Sequence, residues 1–431
     1  MSVGVQRLRD EAGLIRRGAV DKGEDPSVID AALALDERRR AVLAEGDALK
    51  AERNAASKAI GEAIRGGADP NGRQVADLKS ASSRVGERIA ELDGQLASVE
   101  AELEQAMLRI PNPADPDVPV GGEDANAVIR SWGDPLPRDD RRPHWELAEA
   151  LGMLDNARGA KVTGSGWPVY TGAGSALQRG LVNWCLDVHT AEHGMTEVWP
   201  PALVNATSAT GTGQIPDKED QMYVVGRDEL YLVPTAEVPV TNLHRDEILE
   251  HDALPIRYAA YSPCFRREAG AAGKDTRGIL RVHQFDKVEM VSFTAPDQSA
   301  AELEWLTERA EVLLQRLGLA YRVLLMATRE MGFVQARKYD LEVWAPGVER
   351  WLEVSSVSNL RDYQARRMAI RHRPAAGAKP ELLHTLNGSG LALPRTVAAL
   401  IETHQQPDGT IALPDALRPY LGGRERIGPS I

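Results

Sequence analysis

A heptad pattern in the first quarter of the chain constrains its fold more than any other feature. Apolar side chains recur at alternating steps of four and three residues over four repeats, with serine in one position and Ala106 or Met107 in another: Leu78, Ser82, Val85, Ile89, Leu92, Leu96, Val99, Leu103 and then Ile110. An earlier segment, from about Ser27 to Arg65, carries apolar residues at sevenfold spacing: Leu35, Val42, Leu49, Ala56 and Ala63. Such seams are typical of two helices that pack along their length as a coiled coil.

The segment between the two seams, GGADPNG, is a turn sequence too short for anything but antiparallel neighbours. The pattern therefore predicts an antiparallel two-helix hairpin. A helix of about forty residues reaches roughly 60 Å at about 1.5 Å per residue. Because nothing else in this region of the sequence could cover both sides of such a pair, we expect the hairpin to project from the body as an arm.

The proline-rich stretch Pro111–Gly122 ends the second helix and is the clearest linker in the chain. We therefore expect residues 1–112 to form an N-terminal domain and residues 113–431 a second domain. In the second part, strands joined by hairpins with helices grouped between them predict an α+β fold with a mostly antiparallel sheet. Its predicted helices are about Pro143–Leu154, Leu177–Gly194, Asp297–Leu317 and Leu391–His404, and its predicted strands are about Thr196–Asn205, Leu230–Val233, Ile256–Tyr261, Tyr321–Met326, Lys338–Trp344, Arg350–Ser356 and Leu382–Asn387.

Composition excludes several classes of protein. The formal net charge of −12 argues against wholesale coating of nucleic acid, although it leaves room for a local basic stripe. The two cysteines, Cys185 and Cys264, form neither a disulfide framework nor a zinc-binding spacing, and we expect packed thiols rather than a nucleophile. The N-terminus lacks the apolar core of a signal peptide, and no apolar run reaches membrane-spanning length. These features predict a cytoplasmic protein without a membrane partner.

The stretch Ser262–Ser292 predicts two antiparallel strands joined by a long polar loop. One face of the second strand would carry Arg281, His283, Phe285, Lys287 and Glu289, and the first strand adds Arg266 and Glu268. This face is a poor core but a good floor for a site that binds a planar base, phosphates and an amine. The loop residues, expected to be mobile and to close over a ligand, are Gly270, Gly273, Lys274, Asp275, Arg277 and Gly278. The alternative is an exposed hairpin with solvated charges.

Four further stretches carry polar residues at points where chemistry could occur. Thr210–Pro216 is a glycine-rich loop or turn, and Val233–Asn242 places Thr235 and Glu237 two apart in a possible edge strand. Trp351–Asn359 puts Glu353 and three serines at the end of a strand. His384–Gln405 indicates a strand, a glycine turn and a helix with Arg395 in its first turns, where a cation opposes the helix dipole unless an anion lies opposite. Neither GxGxxG nor a P-loop is present, so ATP would require another fold.

Taken together, these stretches resemble one family, the bacterial-type seryl-tRNA synthetases, which are class II aminoacyl-tRNA synthetases. The resemblance covers nearly the whole chain and rests on FRREAGAAGKDTRGILRVHQFDKVE (motif two), the TAE triplet, the LEVSS strand, NGSGLALPRT (motif three) and GMTEVWPPALVN (motif one). It implies a class II catalytic domain behind a tRNA-binding arm, and a homodimer. It also implies activation of L-serine by ATP with Mg²⁺, and transfer of serine to tRNA(Ser) and tRNA(Sec).

The resemblance also implies roles for individual residues. Arg266, Arg281 and Arg395 would be catalytic, with Arg266 at the α-phosphate and Arg395 at the γ-phosphate. The implied ATP-binding residues are Arg266, Arg267, Glu268, Val282, Phe285, Glu353, Val354, Ser355, Ser356 and Arg395. The implied serine-binding residues are Thr235, Ala236, Glu237, Arg266, Glu289, Asn387 and Ser389. Glu353 and Ser356 would bind the metal.

Finer roles within these sets follow the family. Phe285 would stack beneath adenine, and Glu268 would accept from its amino group. Glu289 and Ser389 would hold the serine hydroxyl, whereas Thr235 and Glu237 would bind its ammonium group. Basic residues on the hairpin would contact the long variable arm of the tRNA: Arg38, Arg39, Arg40, Lys50, Arg53, Lys58, Arg84 and Arg88. On spacing alone, such mixed charge on a coiled coil is usually a solvated face.

Alternatives remain open at this point. Arg267 stands where many relatives have a small polar residue, and Val357 stands where many carry cysteine, which leaves open a duplicate, inhibitor-resistant second copy. A diverged paralogue could also donate serine to an acceptor other than tRNA, but it would have no need of the long hairpin. A catalytically inactive binding module would be expected to lose Arg266, Glu289, Glu353 or Arg395.

Overall fold

The computed structural model describes residues 3–270 and 277–428, which form two compact units. The first unit consists of Met1–Val20 and Glu24–Ile110, and the second of Asp21–Gly23 and Pro111–Ile431. Gly273, Lys274 and Asp275, which the sequence places in a mobile loop, lie outside the described residues. The described helices contain none long and apolar enough to cross a membrane.

The first unit is helical, and its two long helices confirm the predicted hairpin. Its helices are α1 (Val5–Asp10), α2 (Ala12–Lys22), α3 (Ser27–Arg65) and α4 (Arg73–Leu108). Along α4 the seam residues Ile89, Leu92, Val99 and Leu103 are buried. These side chains recur at heptad spacing along the second half of α4, as expected for two helices that pack along their length.

Two short helices cover one end of the hairpin. Leu8 of α1 and Ile15 of α2 pack in one cluster with Ile29 of α3 and with Leu103 and Met107 of α4. The expectation that no other segment of this region covers the hairpin is therefore wrong at this end. Each short helix contributes too few apolar residues to show a periodic pattern in the sequence, yet Leu8 and Ile15 are completely buried.

The second unit is built on an eight-stranded sheet, which confirms the mostly antiparallel α+β prediction. Its strands are β1 (Ala127–Trp132), β2 (Thr196–Val198), β3 (Leu203–Asn205), β4 (Val224–Val225), β5 (Leu230–Leu232), β6 (Ile248–Leu249), β7 (Ile256–Phe265), β8 (Gln284–Thr294), β9 (Tyr321–Leu325), β10 (Arg337–Ala345), β11 (Arg350–Asn359), β12 (Arg371–His372), β13 (Glu381–Leu382), β14 (His384–Ala392), β15 (Ile411–Ala412) and β16 (Arg426–Ile427). The large sheet has the order β1-β9-β10-β11-β14-β8-β7-β2, in which only the β2–β7 pair of the described strands is parallel. Smaller sheets are β13-β12-β6, β3-β5-β4 and β15-β16.

Helices pack against this sheet and complete the core. They are α5 (His144–Ala150), α6 (Asn156–Val162), α7 (Gly172–Asp187), α8 (Ala206–Thr212), α9 (Glu237–Thr241), α10 (Ser299–Arg316), α11 (Thr328–Met331), α12 (Tyr363–Arg367) and α13 (Leu393–His404). Leu181 of α7, Leu306 of α10 and Leu400 of α13 share one buried cluster with Val288 and Leu341 of the sheet. The core therefore holds β8, β10 and their neighbours in fixed register.

The arginine-rich hairpin differs from its prediction at the tips of both strands. β7 ends at Phe265 and β8 begins at Gln284, so Arg266, Glu268 and Arg281 lie beyond the ladder. The backbone explains this, since Glu268 has φ +50° and the His283 N–H donates to the Gly166 carbonyl outside the sheet. The exposed-hairpin alternative is wrong, because β8 pairs with both β7 and β14 inside the large sheet.

Two segments adopt a different structure from the predicted one. The possible edge strand at Val233–Asn242 contains the short helix α9. The predicted glycine turn after Asn387 is the continuation of β14, with a bulge between Ser389 and Leu391. Gly390 allows His189 to pack closely against the strand and does not form a turn, because a Cβ there would lie 2.6 Å from His189 Nε2.

Candidate active site

A cleft of about 480 Å³ opens over β8, β11 and β14 and gathers nearly all the predicted site residues. Side chains from β8 reach it by strand alternation, and β11 contributes the four consecutive residues 353–356. Arg266, Glu268 and Arg281 reach it from the irregular chain beyond β7 and before β8. The predicted residues in its lining are Thr235, Glu237, Arg266, Glu268, Arg281, Val282, Phe285, Glu289, Glu353, Val354, Ser355, Ser356, Asn387, Ser389 and Arg395.

Two of the predicted residues lie outside this lining. The side chain of Arg267 is directed elsewhere, with Nη1 donating at 2.7 Å to the Asp220 carbonyl. Ala236 is fully buried in an apolar cluster that includes Val240 and Met368. The structure therefore offers no contact through which these two side chains would touch a ligand in the cleft.

One end of the cleft is cationic. The guanidinium of Arg266 lies over the Phe285 ring, 5.1 Å from its centroid. Arg395, in the first turn of α13, donates through Nη1 to the Glu353 carbonyl at 3.1 Å and through Nε to the Leu280 carbonyl at 3.2 Å. Two guanidinium groups held around one space are suited to the oxygens of a polyphosphate.

Glu268 and Arg281 form an ion pair in the same region, with 2.6 Å between Glu268 Oε2 and Arg281 Nη1. This contact was not predicted, because it joins the two irregular segments beyond the strands. Arg281 Nε is buried without a hydrogen-bond partner among the described residues. Both residues of the pair line the same cleft as Phe285.

Oxygen ligands suitable for Mg²⁺ lie beside these arginines. Glu353 and Ser356 are three residues apart on β11, and Asp340 of β10 is the register partner of Ser356. Desolvation opposes ionisation of Glu353, but the cations Lys338, Arg395 and Arg266 outweigh it and lower its pKa. Asp340 is buried, which raises its pKa to about 7 although Lys338 lies 3.0 Å away.

The donor set fits a magnesium ion that keeps much of its hydration. No cluster of three or more His, Cys, Asp or Glu side chains able to hold a metal occurs in residues 3–270 and 277–428. Mg²⁺ commonly binds one or two carboxylates and completes its shell with water and substrate phosphates. The all-oxygen pair Glu353 and Ser356, next to a space lined by arginines, meets that requirement.

The opposite end of the cleft contains two buried carboxylates joined by one amide. Asn387 Nδ2 donates to Glu237 Oε2 and to Glu289 Oε1, each at 3.0 Å. Gln364 Nε2 donates to the other oxygen of Glu237 at 2.6 Å. Burial and the neighbouring Glu289 charge raise the pKa of Glu237 to about 7. Paired carboxylates in a small, dry space are suited to an ammonium group and a hydroxyl donor.

Sequence reasoning assigned no role to several polar residues of this region, three of which contact its carboxylates. Lys287 and Lys338 line the cleft, and Gln364 is the hydrogen-bond partner of Glu237. Lys287 could have been identified from the sequence, because strand alternation places it on one face with Phe285 and Glu289. Gln364 had none, because it lies on α12, far along the chain from Glu237.

The remaining sequence hypotheses concern packed residues. Cys185 and Cys264 are buried and free, and burial raises the pKa of both thiols, which confirms packed side chains. Val357 is also fully buried and lies against Gly388 outside the lining of the cleft. The geometry therefore gives Val357 no direct contact with a ligand bound there.

Comparisons with known proteins agree with this geometry. The family model described as "Seryl-tRNA synthetase N-terminal domain" matches residues 4–114. The model described as "tRNA synthetase class II core domain (G, H, P, S and T)" matches residues 223–404. The serine--tRNA ligase of Thermomicrobium roseum is 52% identical over 98% of this chain and 94% of its own length. That of Gemmatimonas aurantiaca is 50% identical over 97% of this chain and 98% of its own length.

Solved structures show the same fold. Seryl-tRNA synthetase from Pyrococcus horikoshii, complexed with ATP, has a TM-score of 0.93 at 36% identity and covers 100% of both chains. The cytoplasmic serine-tRNA ligase of Naegleria fowleri, in complex with AMP, has a TM-score of 0.89 at 27% identity over 100% of this chain and 99% of its own.

Proposed function

The chain belongs to the seryl-tRNA synthetases, and from that premise we propose how its residues activate serine with ATP and pass it to tRNA. The enzyme is an ATP-dependent serine--tRNA ligase. A single observation supports the assignment of its cleft: one lining contains two arginines, Arg266 and Arg395, and two buried carboxylates, Glu237 and Glu289. The cationic end takes the phosphates, and the carboxylate end takes the amino acid.

In the first step, a carboxylate oxygen of serine attacks the α-phosphorus of ATP. The bond from this phosphorus to the bridging oxygen breaks, and pyrophosphate leaves with the electron pair, so that seryl-adenylate is formed. No strong acid or base is needed, because the task is to position charge and to neutralise it. Arg266 neutralises the α-phosphate, and Arg395 the γ-phosphate. Arg281 contributes its unpartnered Nε–H to the phosphates.

The nucleotide base and the metal occupy the same end. Adenine stacks on Phe285, and its amino group donates to Glu268. Glu353 and Ser356 hold Mg²⁺, with Val354 and Ser355 completing that wall of the cleft. When bound, the ion offsets negative charge on the phosphate oxygens.

Serine lies at the carboxylate end in this proposal. Glu237 accepts from its ammonium group, while Glu289 and Ser389 hold its hydroxyl. A site built to bond a substrate hydroxyl rejects an analogue without one by about 10⁴–10⁵-fold, because its buried partners are left unpaired. Alanine is excluded in this way.

In the second step, a ribose hydroxyl at the 3′ end of tRNA attacks the acyl carbon and loses its proton, and AMP leaves. We assign tRNA(Ser) binding, and binding of tRNA(Sec), to the hairpin of residues 1–112, and catalysis to residues 113–431. The working form is a homodimer in the cytoplasm, where ATP and tRNA occur. The alternative functions gain no support, because the relatives described above are serine--tRNA ligases over nearly their full length.

Two linked assays test the proposal. Serine-dependent exchange of pyrophosphate into ATP tests activation, and transfer of labelled serine to tRNA(Ser) tests the second step. Exchange without transfer to any tRNA would instead favour the paralogue with another acceptor.

A further inference from the structure

Lys287 is a buried cation at the carboxylate end of the cleft to which neither the family resemblance nor the proposed mechanism gives a role. It lies on β8 and is 5% exposed. Its Nζ is 2.5 Å from Glu289 Oε2 and 2.8 Å from Thr235 Oγ1. A lysine is almost never buried unless it is paired, so these two contacts are the reason it can lie here.

Lys287 places positive charge directly beside two carboxylates, and Lys218, which also lines the cleft, acts on Glu237 in the same sense. Glu237 and Glu289 are both buried and are bridged by the neutral amide of Asn387. Two like charges in a dry space disfavour each other's ionised form. A bound zwitterionic serine adds one ammonium group, and Arg266 faces its carboxylate. Lys287 then supplies a further positive charge, held in contact with Glu289.

Lys287 also fixes the hydrogen-bonding role of Thr235. A hydroxyl can accept two hydrogen bonds and donate one. Thr235 Oγ1 already accepts from Lys287 Nζ at 2.8 Å and from the Glu237 N–H at 3.2 Å. Both acceptor positions of Thr235 Oγ1 are therefore occupied, and only its O–H is available to hydrogen-bond a ligand. Thr235 must donate to an oxygen of the amino acid, which leaves the ammonium group to Glu237 and departs from the role that the family resemblance implies.

We propose that Lys287 is the positioning residue that sets serine specificity, by holding Glu289 as an acceptor and Thr235 as a donor. The inference rests on the proposed function, since it needs serine at this end of the cleft. An ionised Glu289 can only accept, so a substrate must bring a hydroxyl proton to it. A neutral Glu289 carboxyl could donate instead, and the requirement for that proton would weaken.

The chain contains a matched control for this contact. Lys338 and Asp340 form the same lysine–carboxylate pair two residues apart on a strand, with 3.0 Å between Nζ and Oδ2, and Lys338 lines the same cleft. This second pair lies beside Glu353, at the phosphate end. Replacing either lysine by methionine removes one charge and keeps most of the volume, so the two variants differ mainly in location.

The test is pyrophosphate exchange with serine and ATP varied separately in the wild type, Lys287→Met and Lys338→Met. Losing a hydrogen bond to a charged group corresponds to about a 10- to 100-fold effect. We expect Lys287→Met to raise the KM for serine by about that factor and to change the KM for ATP by less than about threefold. Lys338→Met should instead raise the KM for ATP more than the KM for serine. A serine KM within about threefold of wild type in Lys287→Met would overturn the proposal.

A double-mutant cycle separates positioning from general packing. In a Glu289→Gln background the charge that Lys287 holds is absent, so adding Lys287→Met should raise the serine KM little further. If the double variant instead showed the full combined increase in serine KM of the two single variants, Lys287 would not act through Glu289. If Lys287→Met does not fold, Lys287→Gln replaces it; because the amide still donates but carries no charge, a smaller increase in serine KM is expected, again without a comparable change in the KM for ATP. A wild type without serine-dependent exchange would instead refute the proposed function itself.

Discussion

The guanidinium of Arg395 lies 3.5 Å from the Glu353 carboxylate and donates to the Glu353 carbonyl at 3.1 Å, although the two residues are 42 positions apart. This contact joins the first turn of α13 to β11. It places a cation with a fixed orientation beside the proposed metal ligand. The first prediction concerns this group and its counterpart Arg266.

Arg266→Ala and Arg395→Ala should each reduce the rate of serine-dependent pyrophosphate exchange by about 10²–10³-fold, because each removes a positioned charge from the transferring phosphates. The matched control is Arg267→Ala, which removes the same charge next to Arg266 but outside the cleft. Its rate should stay within about threefold of wild type. A loss of less than tenfold in either cleft variant would contradict the assignment of the phosphate end.

The second prediction is a pH dependence that originates in Glu237. Burial and Glu289 raise its pKa from 4.5 to about 7, so this carboxyl is largely protonated below that pH and ionised above it. The ionised form binds the serine ammonium group more strongly, because its hydrogen bond is charge-assisted. The kcat/KM for serine should therefore fall as pH decreases through about 7, approaching tenfold per unit, and level off above it. A profile that is flat from pH 8 to pH 5.5 would show that this carboxyl is not the ammonium acceptor.

A third prediction concerns the bulge that presents Ser389. A Cβ on Gly390 would lie 2.6 Å from His189 Nε2 and 3.1 Å from the Val288 carbonyl. Gly390→Ala should therefore lower the Tm and raise the KM for serine, because the bulge must shift. The control is Gly94→Ala in α4, where a Cβ meets nothing within 4 Å. This exchange should stabilise by about 0.5–1 kcal/mol. Equal Tm values for the two variants would refute the packing argument.

The sequence predicted the parts of this protein whose signal is local. The bounds of α3 follow from its apolar spacing, and most cleft residues lie in short stretches that resemble the family. Contacts between distant segments could not be predicted. Gln364 reaches Glu237 only because α12 packs beside α9, and Gly390 looked like a turn because a sequence does not show that His189 approaches it. The register of Lys338 and Asp340 likewise depends on how β10 pairs with β11, which the sequence does not show.

The fourth prediction separates activation from tRNA charging. Residues 43–95 can be replaced by a short Gly/Ser turn, since ion pairs between Glu45 and Arg88 and between Lys50 and Asp93 show which positions of α3 and α4 face each other. This cut keeps the cluster of Leu8, Ile29 and Met107 intact. Exchange should stay within a few-fold of wild type, and charging of tRNA(Ser) should be lost.

The control for the shortened protein is charging of tRNA(Ser) by the wild type, measured at several salt concentrations. Contacts to tRNA phosphates release counterions, so the KM for tRNA should rise steeply with salt. Charging by the shortened protein at moderate salt would mean that the hairpin does not bind the tRNA.

The most direct measurement of the central claim is pyrophosphate exchange with purified protein, ATP and Mg²⁺, assayed separately with serine, alanine, glycine and threonine. The account predicts exchange with serine and a rate with alanine lower by about 10⁴-fold or more, because alanine leaves Glu289 and Ser389 without a hydroxyl partner. Exchange with alanine at a rate comparable to that with serine would contradict the account, since Glu289 and Ser389 would then not be selecting a hydroxyl.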